Sequence, residues 1–161
     1  MLAFVSLTPQ ATGQLQMLVR LNLESQKCFR AAGDRVEDAE LTALFYAYAR
    51  QRAGFAAELS RYVAHDASAA TPGDGAARRL AAVHRWWHSL RQHLVTDASA
   101  LSLRLAARAE AEVRAAYEQV LRHPPHEDVV PALQRQRDAV ASTSDRLRRL
   151  HEAREVRRLA S

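Results

Sequence analysis

The chain has 161 residues, 48% of them apolar, with 23 Lys+Arg against 18 Asp+Glu and a formal net charge of +5. That length fits one domain with a real core. Its single cysteine, Cys28, excludes an intrachain disulfide and a thiolate metal cluster. The apolar opening MLAFVSL is too short for a signal peptide or a membrane span.

Thr8-Pro9 predicts an N-cap followed by proline in the first turn of a helix over about 9–32, closed by Gly33. Its apolar row runs Met17, Leu21, Glu24, Cys28, Ala31, with a carboxylate in the middle. A second helix, about 36–65, starts in the acidic run 36–40, where negative charge suits the helix dipole. Its stripe is Leu41, Leu44/Phe45, Tyr48, Phe55, Leu59 and Tyr62/Val63. Residues 66–75 (DASAATPGDG) read as a linker.

A shorter helix over about 76–95 places Leu80, Val83, Trp87, Leu90 and Leu94 on one seam. Thr96-Asp97 caps a fourth helix, about 97–122, broken by His123-Pro124-Pro125-His126. A fifth helix follows over about 127–155, fraying beyond His151. No alternation of strand period has useful length. The expected fold is all-α: a single domain, 1–161, built as an up-down four-helix bundle with a long crossover that carries the extra short helix.

Helical phase sorts the carboxylates. Glu110 shares one face with Leu103, Ala106, Val113, Tyr117 and Val120/Leu121, whereas Glu112 falls on a rim of small residues. Glu24 and Glu110 are therefore the two candidate inward carboxylates. The plainer reading of each is a partly exposed residue, or one paired with Arg20, Arg52, Arg108 or Arg137. Bundles that bind two iron or manganese ions use two single Glu ligands and two Glu-x-x-His motifs, and no Glu-x-x-His occurs here.

The motifs LxxxxCF (23–29), RxxFxxEL (52–59), HRWW (84–87) and AExxxxxxY (109–117) together resemble a bacterial domain of unknown function classed with the ferritin-like bundles, relatives of rubrerythrin and bacterioferritin. The resemblance spans roughly 12–150. It implies that Glu24 and Glu110 occupy single-carboxylate ligand positions. Gln51 and Gln136 stand where the paired motifs would lie, and Arg52 beside the site would oppose a cation.

Outside that set, His84 and His88 at i, i+4 form a separate candidate for zinc or copper, given a third ligand; otherwise they are the polar shoulder of an amphipathic helix. Trp87 reads as core, and Trp86 as packed on the bundle edge or at a subunit contact. Cys28 reads as a buried structural thiol. Arg146, Arg148, Arg149, Arg154, Arg157 and Arg158 give a basic C-terminal helix, read first as a salt-bridged face and second as a nucleic-acid contact.

The expected function is that of a cytoplasmic, non-catalytic bundle without a cofactor, forming a homodimer or binding a protein partner, as in a bacterial stress response. Neither membrane nor nucleic acid is an expected partner. The alternatives are a residual carboxylate site for iron, manganese or zinc, and a nucleic-acid-associated protein.

Overall fold

The computed structural model describes residues 7–63, 74–93 and 99–161. These form five α-helices and one short 3-10 turn, with no strand among the described residues: α1 (Pro9–Arg35), α2 (Ala39–Val63), α3 (Asp74–His93), α4 (Ser99–Arg122), the turn Glu127–Val129, and α5 (Val130–Leu159). The linker's residues 66–73, the Thr96-Asp97 cap and residues 1–6 of the apolar opening lie outside the described residues.

Local chemistry sets the ends. Thr8 Oγ1 accepts the Ala11 N–H at 3.2 Å, with Pro9 opening α1. Asp38 Oδ1 accepts the Leu41 N–H at 3.0 Å, so α2 begins inside the acidic run as expected, at Ala39, with Asp38 capping it and Glu40 in its first turn. Gly33 does not stop α1, which continues to Arg35. Its lack of a side chain serves packing: a Cβ there would stand 3.1 Å from Tyr46 Cε1 on α2. The Tyr46 hydroxyl, in turn, donates to Asp34.

Helix α5 does not fray after His151 but runs on to Leu159. Arg154 reaches back to Asp38 at 2.6 Å, and Arg158 pairs with Glu155 one turn away at 3.1 Å. Both pairs hold chain that is otherwise poor in apolar contacts.

Helix α1 packs along α2, α4 along α5, and α3 against α4 and α1, with a further contact between α1 and α4. Arg154 on Asp38 and Arg135 on Glu58 show that α2 and α5 run antiparallel. Phe29 is the aromatic centre. Its ring lies 6.0 Å from Phe45, 5.3 Å from Tyr48 and 5.2 Å, edge-on, from Trp87. Such pairs add about 0.5–1.5 kcal/mol each beyond area burial, here joining α1, α2 and α3. Val83 and Trp87 are buried and Leu80 is partly so; the side chain of Leu90, and Leu94 as a whole, lie outside the described part. Cys28 is buried, as its place on the apolar row implies.

Candidate functional site

Four helices each turn a polar residue into the core, in phase with their apolar neighbours. On α2 the buried row is Phe45, Ala49, Arg52, Ala56, Leu59, spaced 4-3-4-3, with an arginine at its centre. On α4 it is Leu103, Ala106, Glu110, Val113, Tyr117, Val120. Asn22 and Ser25 lie among Leu18, Leu21, Cys28 and Phe29 on α1. Gln136 lies between Leu133 and Val140 on α5.

Arg52 and Glu110 form an ion pair with both side chains 0% exposed. Arg52 Nε donates to Glu110 Oε2 at 3.1 Å and Nη2 donates to the same oxygen. Nη1 donates to Gln51 Oε1 at 2.8 Å, and the guanidinium carbon stands 5.3 Å from the Phe55 ring centroid. The other carboxylate oxygen, Oε1, is buried without a hydrogen-bond partner among the described residues, as are Asn22 Oδ1 and Ser25 Oγ. Full burial of a charge is tolerable only with a partner, and Arg52 is that partner.

Two turns along α4 a second network starts. The Tyr117 hydroxyl accepts from Asn22 Nδ2 at 2.6 Å and donates to Gln136 Oε1 at 2.7 Å. Burial pushes the Tyr117 hydroxyl far above its ordinary range, outweighing the opposite pull of the Asn22 bond. Tyr117 is therefore a protonated donor at neutral pH. Gln136 Nε2 donates to Glu58 Oε2 at 2.7 Å, and Glu58 also accepts from Arg135 at the surface. The Arg135 bond holds the Glu58 carboxyl below its usual range, against a smaller rise from burial. The network thus runs from α1 through α4 and α5 to the rim of α2.

The residues singled out from sequence divide as follows. Glu110 is inward, as its phase predicts, and Glu112 is half-buried. Glu24 stands at the α1–α3 edge with its side chain 23% exposed, pairing with Lys27 Nζ at 3.3 Å and facing His84 Nδ1 at 3.8 Å. Gln51 and Gln136 serve Arg52 and Tyr117 respectively. His88 is exposed, with Nε2 3.0 Å from Gln92 Nε2. Trp86 is partly buried, with the Arg108 guanidinium 5.1 Å over its ring. Among the described residues, no three His, Cys, Asp or Glu side chains are gathered as a metal-ligand set.

Asn22 and Ser25 escaped the sequence reading, which centred the α1 stripe on Glu24. The signal was present: Asn22 follows Leu18 by four and precedes Phe29 by seven. Several C-terminal arginines carry acidic partners, Arg148 on Asp145 and Arg158 on Glu155 within α5 and Arg154 on Asp38 just before α2. No helix among the described residues is long and apolar enough to cross a membrane.

A family model, Domain of unknown function (DUF2383), matches residues 10–123, most of the chain, from the first turn of α1 to just past the end of α4. No curated protein and no solved structure matches it.

Proposed function

The chain belongs to that family of domains of unknown function, and we propose that it is a ferritin-like bundle whose interior polar layer is structural, acting without catalysis through a second copy of itself or a protein partner. One observation carries the reading: the positive charge facing Glu110 is supplied by Arg52. In bundles of this architecture that hold two metal ions, carboxylates converge from four helices on the cations. A divalent ion about 5 Å from a guanidinium is repelled by roughly 6–7 kcal/mol at an effective dielectric near 20. A single carboxylate already engaged by Arg52 is a poor offset to that repulsion.

The surface supports the second half of the proposal. Val156 and Leu159, 67% and 79% exposed on the last turns of α5, offer apolar contact at the end of a helix whose charges are largely paired. Those pairings also favour a solvated face over one that grips phosphates.

Glu110 Oε1, without a partner among the described residues, favours a second reading, a residual site for iron, manganese or zinc reached when Arg52 swings aside. One experiment separates the two. Protein from cells grown with added iron, manganese and zinc is assayed for bound metal, and its mass is measured by light scattering. The proposal expects a dimer, or a complex with a partner, and no metal that depends on Glu110. Bound metal that disappears in Glu110→Ala would install the second reading.

A further inference from the structure

Away from the interior layer, α1 and α3 bring one carboxylate and one imidazole face to face on the surface, with a second imidazole one turn along α3, a set that is not gathered in this structure. Glu24 Oε2 faces His84 Nδ1 at 3.8 Å. His84 and His88 are four residues apart on α3, both exposed, about 40° apart around the helix and separated by one turn. Trp87 fixes the rotation of α3: it is buried and edge-on to Phe29, which leaves 84 and 88 together on one side of it. The His88 ring contacts Gln92; a helical side chain can also lie back over the turn that precedes it, and in that rotamer the His88 ring would reach the turn that carries His84.

We infer that Glu24, His84 and His88 bind one divalent transition-metal ion, with zinc as the reference ion. Two imidazoles and a carboxylate suit zinc, which takes N and O ligands at about 2.0–2.2 Å and completes a tetrahedron with water. Two such ligands on a tetrahedral ion stand about 3.4 Å apart, so the Glu24–His84 gap need close by only a few tenths of an ångström. The third bond forms when the His88 ring turns from Gln92, giving up one exposed contact. Lys27 competes for Glu24 at 3.3 Å, but its side chain is 72% exposed and withdraws into water at little cost. The bound ion ties the crossover helix to α1. This site is separate from the interior layer and does not depend on how that layer is read.

The test is calorimetric titration of chelator-stripped, tag-free full-length protein with zinc chloride near neutral pH. The expected result is one ion per chain, a Kd on the order of micromolar, and a Tm that rises by several degrees with zinc. His84→Ala and His88→Ala each weaken binding by about tenfold or more, and Glu24→Gln weakens it severalfold. His123→Ala, exposed at the far end of α4, leaves it unchanged. Because His84 and His88 are surface residues, circular dichroism of the variants should match wild type. A Kd above the millimolar range, or affinity unchanged in the His84→Ala/His88→Ala double variant, overturns the assignment. Binding lost in Glu110→Ala but kept in that double variant also overturns it, and moves the ion to the interior.

Discussion

Replacing Arg52 by Met, with Glu110 left in place, takes away the cation that faces a fully buried carboxylate. Arg52 gives Glu110 Oε2 two charge-assisted hydrogen bonds, at about 1.5–3 kcal/mol each. Their sum brackets the roughly 3–5 kcal/mol that follows from breaking a buried pair from one side. We expect Arg52→Met to lower the unfolding free energy by about 4 kcal/mol. Urea unfolding followed by circular dichroism reads this as a lower midpoint at an unchanged slope. The double variant Arg52→Met/Glu110→Leu removes both charges, and Glu110 Oε1 has no partner to lose among the described residues. It should therefore lie within about 1 kcal/mol of wild type, or above it. A single variant that loses less than about 1 kcal/mol, or a double variant as unstable as the two singles added together, would refute the reasoning.

Gly54 is exposed on α2, and a Cβ there would meet nothing within 4 Å, so Gly54→Ala should stabilise by up to about 1 kcal/mol. Gly33→Ala should gain little of this in the same thermal melt, because its Cβ meets Tyr46 at 3.1 Å. Tyr117→Phe removes the donor to Gln136 Oε1 and should cost about 1–2 kcal/mol, read as a lowered Tm. Arg135 and Arg154 hold the carboxyls of Glu58 and Asp38 below their usual range. A depressed folded-state pKa contributes stability above the unfolded value, near 4, and that contribution is lost as pH falls through the folded value. Glu58→Gln/Asp38→Asn should therefore flatten the loss of stability below about pH 4, measured by urea midpoints across an acid series; an unchanged slope would count against both pairs.

Much of the scaffold was legible in the sequence because caps and apolar periods are local. Thr8-Pro9 opens α1, His123 to His126 separates α4 from α5, and Trp87 sits in the core. The interior layer was only half legible. Glu110 lies mid-row between Ala106 and Val113, so its phase was unambiguous. Glu24 lies on the flank of a stripe wide enough to be drawn through it or through Asn22, and only packing against α4 chooses Asn22. Arg52 is seven from both Phe45 and Leu59 and is one of the four arginines the sequence offers as partner to an inward carboxylate, yet nothing local singles it out from the other three or brings it into the apolar stripe of α2. The carboxylate it pairs with lies 58 residues away, a separation that no local pattern encodes. The end of α5 outruns its sequence expectation for a related reason: its hold on Asp38 spans 116 residues.

The layer's contacts also join the two halves of the chain in a particular way. Short connections make α1 with α2, and α4 with α5, into local hairpins, whose contacts cost little loop-closure entropy. Apolar rows of leucine and alanine would let one hairpin slide along the other by a turn, about 5.4 Å, and still bury much of their surface. Arg52 meeting Glu110, and Asn22 meeting Tyr117, do not permit that slide, because a slipped pairing strands a guanidinium and a carboxylate in apolar surroundings. The polar residues thus act as a key cut for one depth of insertion. An apolar replacement as stable as the original would still dock its hairpins in more than one register, and would show it as line broadening in the spectrum of an otherwise well-folded protein.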